Sequence, residues 1–422
     1  MSQPISACLP ESANLAETAE PTKRLLVVDD DPLVLHLLKL ELRDLREKWQ
    51  IEFAPNALAA LDLMSRAPVD VIVTDILMPG MSGAILLEKV MRQWPATVRI
   101  AFTSPAEFAA NKGLVVPAHQ HLAKGGDFRA LREALDRLLD ADQLLSNEKF
   151  RQTLAGMSSL PSVPSLYVEL LQELNSDDPS LERVGWTIAK DLGLSARILQ
   201  LANSAFFGRA RAISDPCEAV MYMGVETTKA LVLSLKILSQ VNEIKIKEFN
   251  PDHLFKHSWA TALMAKTICE MEFVNRAIAD EAFIAGLLHD VGKLVFAANF
   301  PENYQLATQF SHKHRQPFFA AEQQIYGATH AEVGGYLLAI WGLTTPIVEA
   351  VAFHHRPMEN ATSSFTATTA VHAANVFANS FQRGAHESIH QVDQDYLKAI
   401  GLNDRLKVWR EACLEKSRAA NL

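Results

Sequence analysis

The sequence predicts an α/β doubly wound parallel sheet followed by an all-α region, and three observations support this. Short apolar runs alternate with segments of helical periodicity from Arg24 to about residue 142. Strands that alternate with helices favour a parallel sheet covered on both faces. Beyond about residue 150 only long helix-period segments remain, broken by Pro and Gly. With 49% hydrophobic and 21% charged residues, the 422-residue chain has a globular composition.

Four apolar runs in the first block are predicted strands: 25–28, 71–73, 99–102 and 121–123. Predicted helices lie between or after them: 33–45, 84–91 and 128–139. Residues 127–150 contain neither Pro nor Gly, so one helix is predicted to run from the first block to the second. Six further predicted helices follow: 166–174, 181–192, 195–203, 230–241, 257–271 and 280–288.

These patterns divide the chain into five parts. Residues 1–22 form a flexible tail, because they contain Pro, Ser and Glu without apolar periodicity. The other predicted parts are the α/β domain (23–142), a helical linker (143–152), the all-α domain (153–375) and a C-terminal helical extension (376–422).

Charge and composition argue against several classes of protein. The formal net charge of -9 gives no bulk attraction to nucleic acid or to anionic membranes, and no basic recognition helix is visible. We therefore expect no direct binding to DNA. No apolar run approaches the roughly 18 residues of a membrane span, and no secretory signal is visible. The four cysteines lie far apart in the sequence, which is more typical of reduced thiols than of a disulfide framework. A cytoplasmic location is therefore expected.

The first chemical constellation lies at the ends of the predicted strands. Asp29 and Asp30 follow the first, Asp75 the second, Thr103 the third and Lys124 the fourth. Because ligands of open α/β sheets bind at the carboxyl ends of parallel strands, these groups should converge. Carboxylates that repel one another favour a hard cation such as Mg²⁺. Asp75 would then act as a nucleophile that forms an acyl phosphate, with Lys124 and Thr103 contacting the added oxygens.

The pattern formed by these residues makes the segment 24–142 resemble a response-regulator receiver domain of two-component signalling. The run Met-Pro-Gly-Met-Ser-Gly at 78–83 is also typical of that family. The resemblance implies a five-stranded, flavodoxin-like sheet and phosphorylation of Asp75 by a partner histidine kinase. It also implies Mg²⁺ held by Asp29, Asp30 and Asp75.

Two positions depart from the family pattern. Gly125 follows the lysine where the family usually has Pro, which loosens the backbone beside Lys124. His121 stands at the switch position that is usually aromatic, and a histidine there has a titration of its own. Thr103, Lys124 and His121 are therefore the expected switch residues.

The second constellation is a concentration of histidines in the all-α block. Eleven of the 14 histidines fall between His253 and His390. Imidazole and carboxylate are ligands of Zn, Fe and Mn, and a metal-bound water can attack a phosphodiester. A lone histidine is more often a hydrogen-bonded core residue. The interpretation as a metal site therefore requires several candidate ligands together. The candidate ligands are His257, His289, Asp290, His330, His354 and His355.

Residues 153–375 resemble the HDOD branch of the HD superfamily of metal-dependent phosphohydrolases. The segments that carry the resemblance are 160–164, 191–199, 201–208 and 287–293, the last containing His289-Asp290. The HDOD branch is commonly a non-catalytic signalling output. The histidine set matches the ligands of the branch that hydrolyses cyclic-di-GMP, with Lys293 as a phosphate contact. Asn375 stands near the last metal-binding Asp of that branch, so at most one Fe, Mn or Zn ion, or weak binding, is expected.

The combined interpretation is a response regulator phosphorylated on Asp75 whose HDOD output mainly binds a downstream protein or nucleotide. An alternative is a receiver-gated metal-dependent phosphodiesterase, and a third is a scaffold whose receiver docks partners without phosphorylation. Whether the chain is an enzyme stays open, with the non-enzymatic reading preferred. A homodimer also stays open.

Overall fold

A computed structural model describes residues 23–104, 116–124, 128–144, 148–157, 160–174, 176, 178–204, 213–240, 246, 249–360, 362–383 and 391–419. The predicted tail (1–22), Gly125 and the end of the 201–208 motif lie outside these ranges.

The N-terminal part is a single parallel sheet. Its strands are β1 (Lys23–Val28), β2 (Trp49–Ala54), β3 (Val71–Thr74), β4 (Val98–Thr103) and β5 (Gln120–Ala123). They lie in the order β2-β1-β3-β4-β5, and all four neighbouring pairs are parallel. The apolar runs did not predict β2, because this edge strand carries Gln50 and Glu52.

Helices cover both faces of the sheet. They are α1 (Pro32–Glu41), α2 (Ala57–Arg66), α3 (Gly83–Gln93) and α4 (Arg129–Leu144), with a 3-10 turn at Arg43–Glu47. Alternate residues of β1 point to opposite faces. Leu25 and Val27 pack in the core with α1 and α4, whereas Leu26 and Val28 pack in the core with α2 and α3. Asp31 caps α1 by accepting a hydrogen bond from the Leu33 amide at 2.8 Å.

The C-terminal part is helical. Its helices are α5 (Glu148–Ala155), α6 (Ser165–Leu174), α7 (Leu181–Ala189), α8 (Leu192–Ala202), α9 (Pro216–Met223), α10 (Val225–Gln240), α11 (Pro251–Met271), α12 (Arg276–Leu288), α13 (Val291–Asn299), α14 (Pro301–His314), α15 (Phe318–Ile325), α16 (His330–Ile340), α17 (Thr345–Ala352), α18 (Ala367–Arg383), α19 (Gln394–Ala399) and α20 (Leu406–Ala419). The described residues of this part also include the 3-10 turns Pro357–Glu359 and Asn403–Arg405. The central helix α11 packs against α12, α18 and α20.

The predicted fold class is confirmed. The prediction of a single helix through residues 127–150 falls partly on residues 127 and 145–147, which lie outside the described ranges, and the described residues on either side of 145–147 form α4 and α5. Within the described part of the chain, no helix combines the length and apolarity needed to cross a bilayer.

The edge of the sheet that ends in β5 contacts the helical part. Helix α4 packs against α16, and the Gln120 side chain donates a hydrogen bond to the Ala339 carbonyl at 3.4 Å. Nε2 of His119, just before β5, lies 3.3 Å from the Leu160 carbonyl oxygen. The contact with Gln120 lies near the C-terminal end of α16, and His330 is the first residue of the same helix. Helix α16 therefore connects the contact between the two parts of the chain to the surroundings of His330.

Candidate functional site

The first candidate site lies at the carboxyl ends of β1 and β3. Val28 and Thr74 are register partners at the ends of these neighbouring strands, so the residues that follow them meet. Carboxylate oxygens of Asp29, Asp30 and Asp75 lie within 4.8 Å of one another. Asp29 and Asp75 are buried, whereas Asp30 is exposed. Three converging carboxylates, one of them open to solvent, suit a hard divalent cation.

A lysine neutralises part of this acidic charge. The Lys124 Nζ atom lies 2.8 Å from Asp29 Oδ2 and 3.2 Å from Asp75 Oδ1. Burial raises the pKa of Asp75 above its ordinary value, and the nearby Lys124 only partly offsets this. Burial alone would lower the pKa of Lys124, but its hydrogen bond to Asp29 raises the pKa above the ordinary value. The ammonium group therefore stays charged beside Asp75.

The predicted switch residues lie at the same edge of the sheet. Thr103 is buried at the end of β4, and its carbonyl accepts a hydrogen bond from the Lys124 amide at 2.9 Å. His121 lies on β5 and is partly buried, which lowers the pKa of its ring to about 4. The ring is therefore neutral near pH 7.

The second candidate site is a buried histidine cluster in the helical part. Its side chains come from five places in the fold: His257 (α11), His289 and Asp290 (between α12 and α13), His330 (start of α16), His354 and His355 (after α17), and Asn375 (α18). Two groups of ligand atoms each lie within 4.8 Å of one another. We call them the three-histidine group (His330, His354 and His355) and the mixed group (His257, His289 and Asp290).

Asp290 lies between the two groups. Its Oδ1 atom lies 3.1 Å from His330 Nε2 and 3.4 Å from His289 Nε2. Its Oδ2 atom lies 2.7 Å from Lys293 Nζ and 3.9 Å from His257 Nε2. Burial raises the pKa of Asp290, but the surrounding imidazoles and the ammonium group outweigh it and hold this pKa well below its usual range. The carboxylate is therefore ionised.

A further carboxylate, Glu322, supports the cluster and was missed from the sequence. It is fully buried in α15, and its Oε2 atom accepts hydrogen bonds from the His330 amide (3.0 Å) and from His330 Nδ1 (2.6 Å). Burial lowers the pKa of His330, but Glu322 outweighs this and raises it above the ordinary value. The contact directs Nε2 of His330 toward Asp290. A single Glu eight residues before His330 gave no sequence signal for this role.

Family models match the chain in two places. The response regulator receiver domain model matches residues 25–136, and the HDOD domain model matches residues 160–357. An uncharacterised protein of Treponema pallidum is 26% identical over 202 residues, which is 47% of this chain and 38% of that protein. The transcriptional regulatory protein GlrR of Escherichia coli is 30% identical over 140 residues, 32% of this chain and 30% of that protein. The chain thus spans about a third of these curated relatives.

Solved structures resemble each part of the chain. An HDOD domain protein from Geobacter sulfurreducens is 24% identical, covers 67% of this chain and 98% of its own, and gives a TM-score of 0.45. The MmoQ response regulator of Methylococcus capsulatus is 23% identical, covers 58% of this chain and 94% of its own, and gives a TM-score of 0.34.

Proposed function

The chain joins a response-regulator receiver domain to an HDOD domain, and we propose that a partner histidine kinase phosphorylates it on Asp75. One observation carries the proposal: the carboxylates of Asp29, Asp30 and Asp75 converge beside the Lys124 ammonium group. Proteins that match the receiver part include transcriptional regulators such as GlrR, which is consistent with a signalling role.

The proposal gives a role to each oxygen of Asp75. Oδ1 accepts a hydrogen bond from the Ile76 amide at 2.7 Å and faces Lys124. Oδ2 is therefore the oxygen we assign as the nucleophile. It attacks phosphorus, an O–P bond forms, and the bond from phosphorus to the donor breaks, so that the donor leaves with that electron pair. Asp29, Asp30 and Asp75 would hold Mg²⁺, which would supply positive charge for the transferred phosphoryl group. Lys124 pairs with one of the phosphoryl oxygens.

We propose that the signal reaches the HDOD domain through helix α16. This helix contacts α4 and Gln120 of the receiver domain, and it begins with His330 of the histidine cluster. Phosphorylation adds about -1.5 to -2 charge units beside Lys124, which biases the β5 edge toward a second arrangement. A displacement of α16 would then change the surface that the HDOD domain offers to its partner.

The output is proposed to bind a downstream protein or a nucleotide, in the cytoplasm and without direct contact with DNA. A metal-dependent phosphodiesterase is the second candidate function, because the histidine cluster gathers imidazoles around Asp290. Cyclic-dinucleotide hydrolysis that depends on His354 would establish that function, with the His354→Ala variant as the comparison.

The phosphorylation proposal is tested with a small phosphodonor and Mg²⁺. The intact mass of the wild-type protein should increase by one phosphoryl group, and Asp75→Asn should stay unlabelled. Asp62→Asn is the matched control, because Asp62 is an exposed aspartate on α2 of the same domain. Labelling that persists in Asp75→Asn would assign the phosphoryl group elsewhere and end the proposal.

A further inference from the structure

The C-terminal segment of the chain packs on helices that contribute to the histidine cluster. We call the described residues 391–419 the strap, which contains α19 and α20. It follows the part of the chain that the HDOD family model matches, which ends at residue 357. Helix α20 packs against α11 and α18, the helices that carry His257 and Asn375. The strap therefore contacts two helices whose side chains belong to the cluster.

Two side chains of the strap fix α20 to the end of α11. Nε of Arg405 and the indole nitrogen of Trp409 each donate a hydrogen bond to Oε1 of Glu272, both at 2.7 Å. Trp409 is fully buried, and its ring contacts that of Phe365, just before α18, edge to face. Hydrogen bonds to a charged carboxylate are stronger than neutral ones, so α20 is held firmly against α11 and α18.

Helix α19 is held on α18 by buried polar contacts. The hydroxyl groups of Tyr396 and Thr369 lie 2.7 Å apart, and both side chains are buried. Asp393 caps α19 by accepting a hydrogen bond from the Tyr396 amide at 2.9 Å. The amide of Asp393 donates in turn to Nε2 of His372 on α18, at 2.9 Å. The start of α19 is therefore bonded to one histidine ring of α18.

His372 joins the strap to the histidine cluster. Its Nδ1 atom lies 2.7 Å from the backbone carbonyl oxygen of His354, and a carbonyl oxygen only accepts hydrogen bonds. Nδ1 therefore carries the ring hydrogen, which leaves the lone pair of Nε2 to accept from the Asp393 amide. The same neutral form of the ring makes both contacts. Because His372 is buried, loss of either contact would leave a polar group without a partner.

The backbone of His354 in turn sets the position of its ring. Nδ1 of His354 lies 2.7 Å from the Val351 carbonyl oxygen, in the same turn of the chain, so the ring follows the backbone. The ring centroid lies 4.9 Å from that of His289 and 5.4 Å from that of His330. His330 begins α16, which contacts the receiver domain. The strap and the receiver domain therefore connect to neighbouring rings of the cluster through different helices.

We infer that the strap is a second regulatory input to the histidine cluster, with His372 as the positioning residue that couples the two. A molecule that displaces the strap releases the His354 carbonyl and loosens the turn that carries His354 and His355. By reciprocity, a ligand bound at the cluster stabilises the docked strap. This input reaches His354, whereas the route proposed through α16 reaches His330. The inference does not depend on the phosphorylation of Asp75.

The test is hydrogen exchange of the full-length protein, followed in α19 and in the turn 353–356. The turn reports its own opening, because the Arg356 amide donates to the Phe353 carbonyl at 2.9 Å. Tyr396→Phe removes the hydroxyl contact with α18 and should speed exchange about tenfold both in α19 and in the turn. Lys398→Gln is the matched control, since Lys398 is exposed on the same helix, and it should change neither region.

Replacements of His372 separate coupling from a general loosening of the fold. His372→Phe keeps a ring but lacks both polar contacts, so the turn 353–356 should exchange faster. Tyr396→Phe should then add nothing further to exchange of the turn. His372→Gln can donate and accept as the histidine does, so it should keep exchange of the turn slow. Circular dichroism and cooperative urea unfolding show that each variant is folded.

Three results would overturn the inference. One is a Tyr396→Phe variant in which α19 loosens while the turn 353–356 exchanges as in the wild-type protein. Another is a folded His372→Phe variant in which the turn stays slow. The third is a turn that exchanges equally fast in His372→Gln and His372→Phe, since the ring volume and not the polar contacts would then hold it. If His372→Phe does not fold, the comparison of Tyr396→Phe with Lys398→Gln decides alone.

Discussion

The two halves of the chain centre their candidate sites on the same pair of side chains, an aspartate beside a lysine. Lys124 lies 3.2 Å from Asp75 in the receiver domain, and Lys293 lies 2.7 Å from Asp290 in the HDOD domain. The surroundings differ. Asp75 is joined by two further carboxylates, of which Asp30 is exposed, whereas Asp290 is surrounded by imidazoles in a buried cluster.

This difference determines which cation each site suits and how each carboxylate affects stability. Oxygen ligands open to water suit Mg²⁺, and buried imidazoles suit a transition metal. The pKa of Asp75 is raised, mainly by burial, whereas the pKa of Asp290 is lowered by the cationic and imidazole groups around it. Ionisation of Asp75 therefore opposes folding in the absence of a cation, and ionisation of Asp290 favours it.

The largest expected effect comes from neutralising each aspartate in metal-free protein. Asp290→Asn leaves Lys293 without its partner and should lower the free energy of unfolding by about 3–5 kcal/mol. Asp75→Asn should raise it at neutral pH, because the variant no longer places a buried charge there. Urea unfolding of each variant with a chelator present measures both.

Ionisation of Asp75 and ionisation of Asp290 should change the free energy of unfolding in opposite directions as the pH is varied. The gain from Asp75→Asn should disappear as the pH falls below the ordinary Asp value of 3.8, where the wild-type carboxyl is protonated in both states. The stabilisation from Asp290 is present above 3.8 and is lost as the pH falls through its lowered folded-state pKa. Equal effects of the two substitutions at neutral pH would contradict the comparison.

Each site has a glycine packed closely against its backbone. Replacing either glycine with alanine should damage the site beside it and leave the other site intact. A Cβ atom at Gly83 would lie 1.8 Å from the Asp75 carbonyl oxygen, and one at Gly292 would lie 2.0 Å from the His330 carbonyl oxygen. Each alanine variant should lose up to about 3 kcal/mol, since the backbone must move. Gly83→Ala should lose labelling of Asp75 and keep slow hydrogen exchange of the turn 353–356, and Gly292→Ala should do the reverse.

The control for both is Gly193→Ala, where the nearest atom is an Asp191 oxygen at 3.5 Å. This variant should keep both readouts. Loss of both readouts in Gly83→Ala or in Gly292→Ala would show that the two sites are not independently built.

A smaller effect is expected from removing the receiver lysine. Lys124→Gln should raise the affinity for Mg²⁺ by up to about tenfold, because the ammonium group no longer competes for the carboxylates. Calorimetric titration with Mg²⁺ measures this, with the exposed Lys89→Gln on α3 as the control. An unchanged affinity would place Lys124 outside the cation site.

The smallest effect is expected at the contact between the domains. Gln120→Ala removes the hydrogen bond to Ala339 and should cost about 1 kcal/mol or less. Hydrogen exchange of α16 should change on phosphorylation in the wild-type protein and change less in this variant. If α16 never responds to phosphorylation, the signal does not pass through this helix.

The sequence predicted the fold class and brought out most of the site residues, because strand ends and His-Asp motifs are local features. The strand β2 was missed because an edge strand with Gln50 and Glu52 shows no apolar run. Glu322 was missed because its role depends on a contact between α15 and α16 that no spacing shows. Lys293 follows Asp290 by three residues, so its contact is local, whereas the contact between His257 and Asn375 joins helices far apart in the sequence and depends on three-dimensional placement.

The most direct test of the central claim measures labelling of Asp75 by a phosphodonor while the concentration of Mg²⁺ is varied. The wild-type protein should require Mg²⁺, and Asp30→Asn should need about tenfold more of it to reach half-maximal labelling, because one of three carboxylate ligands is lost. Labelling of Asp75 that proceeds equally well with the metal chelated would contradict the account.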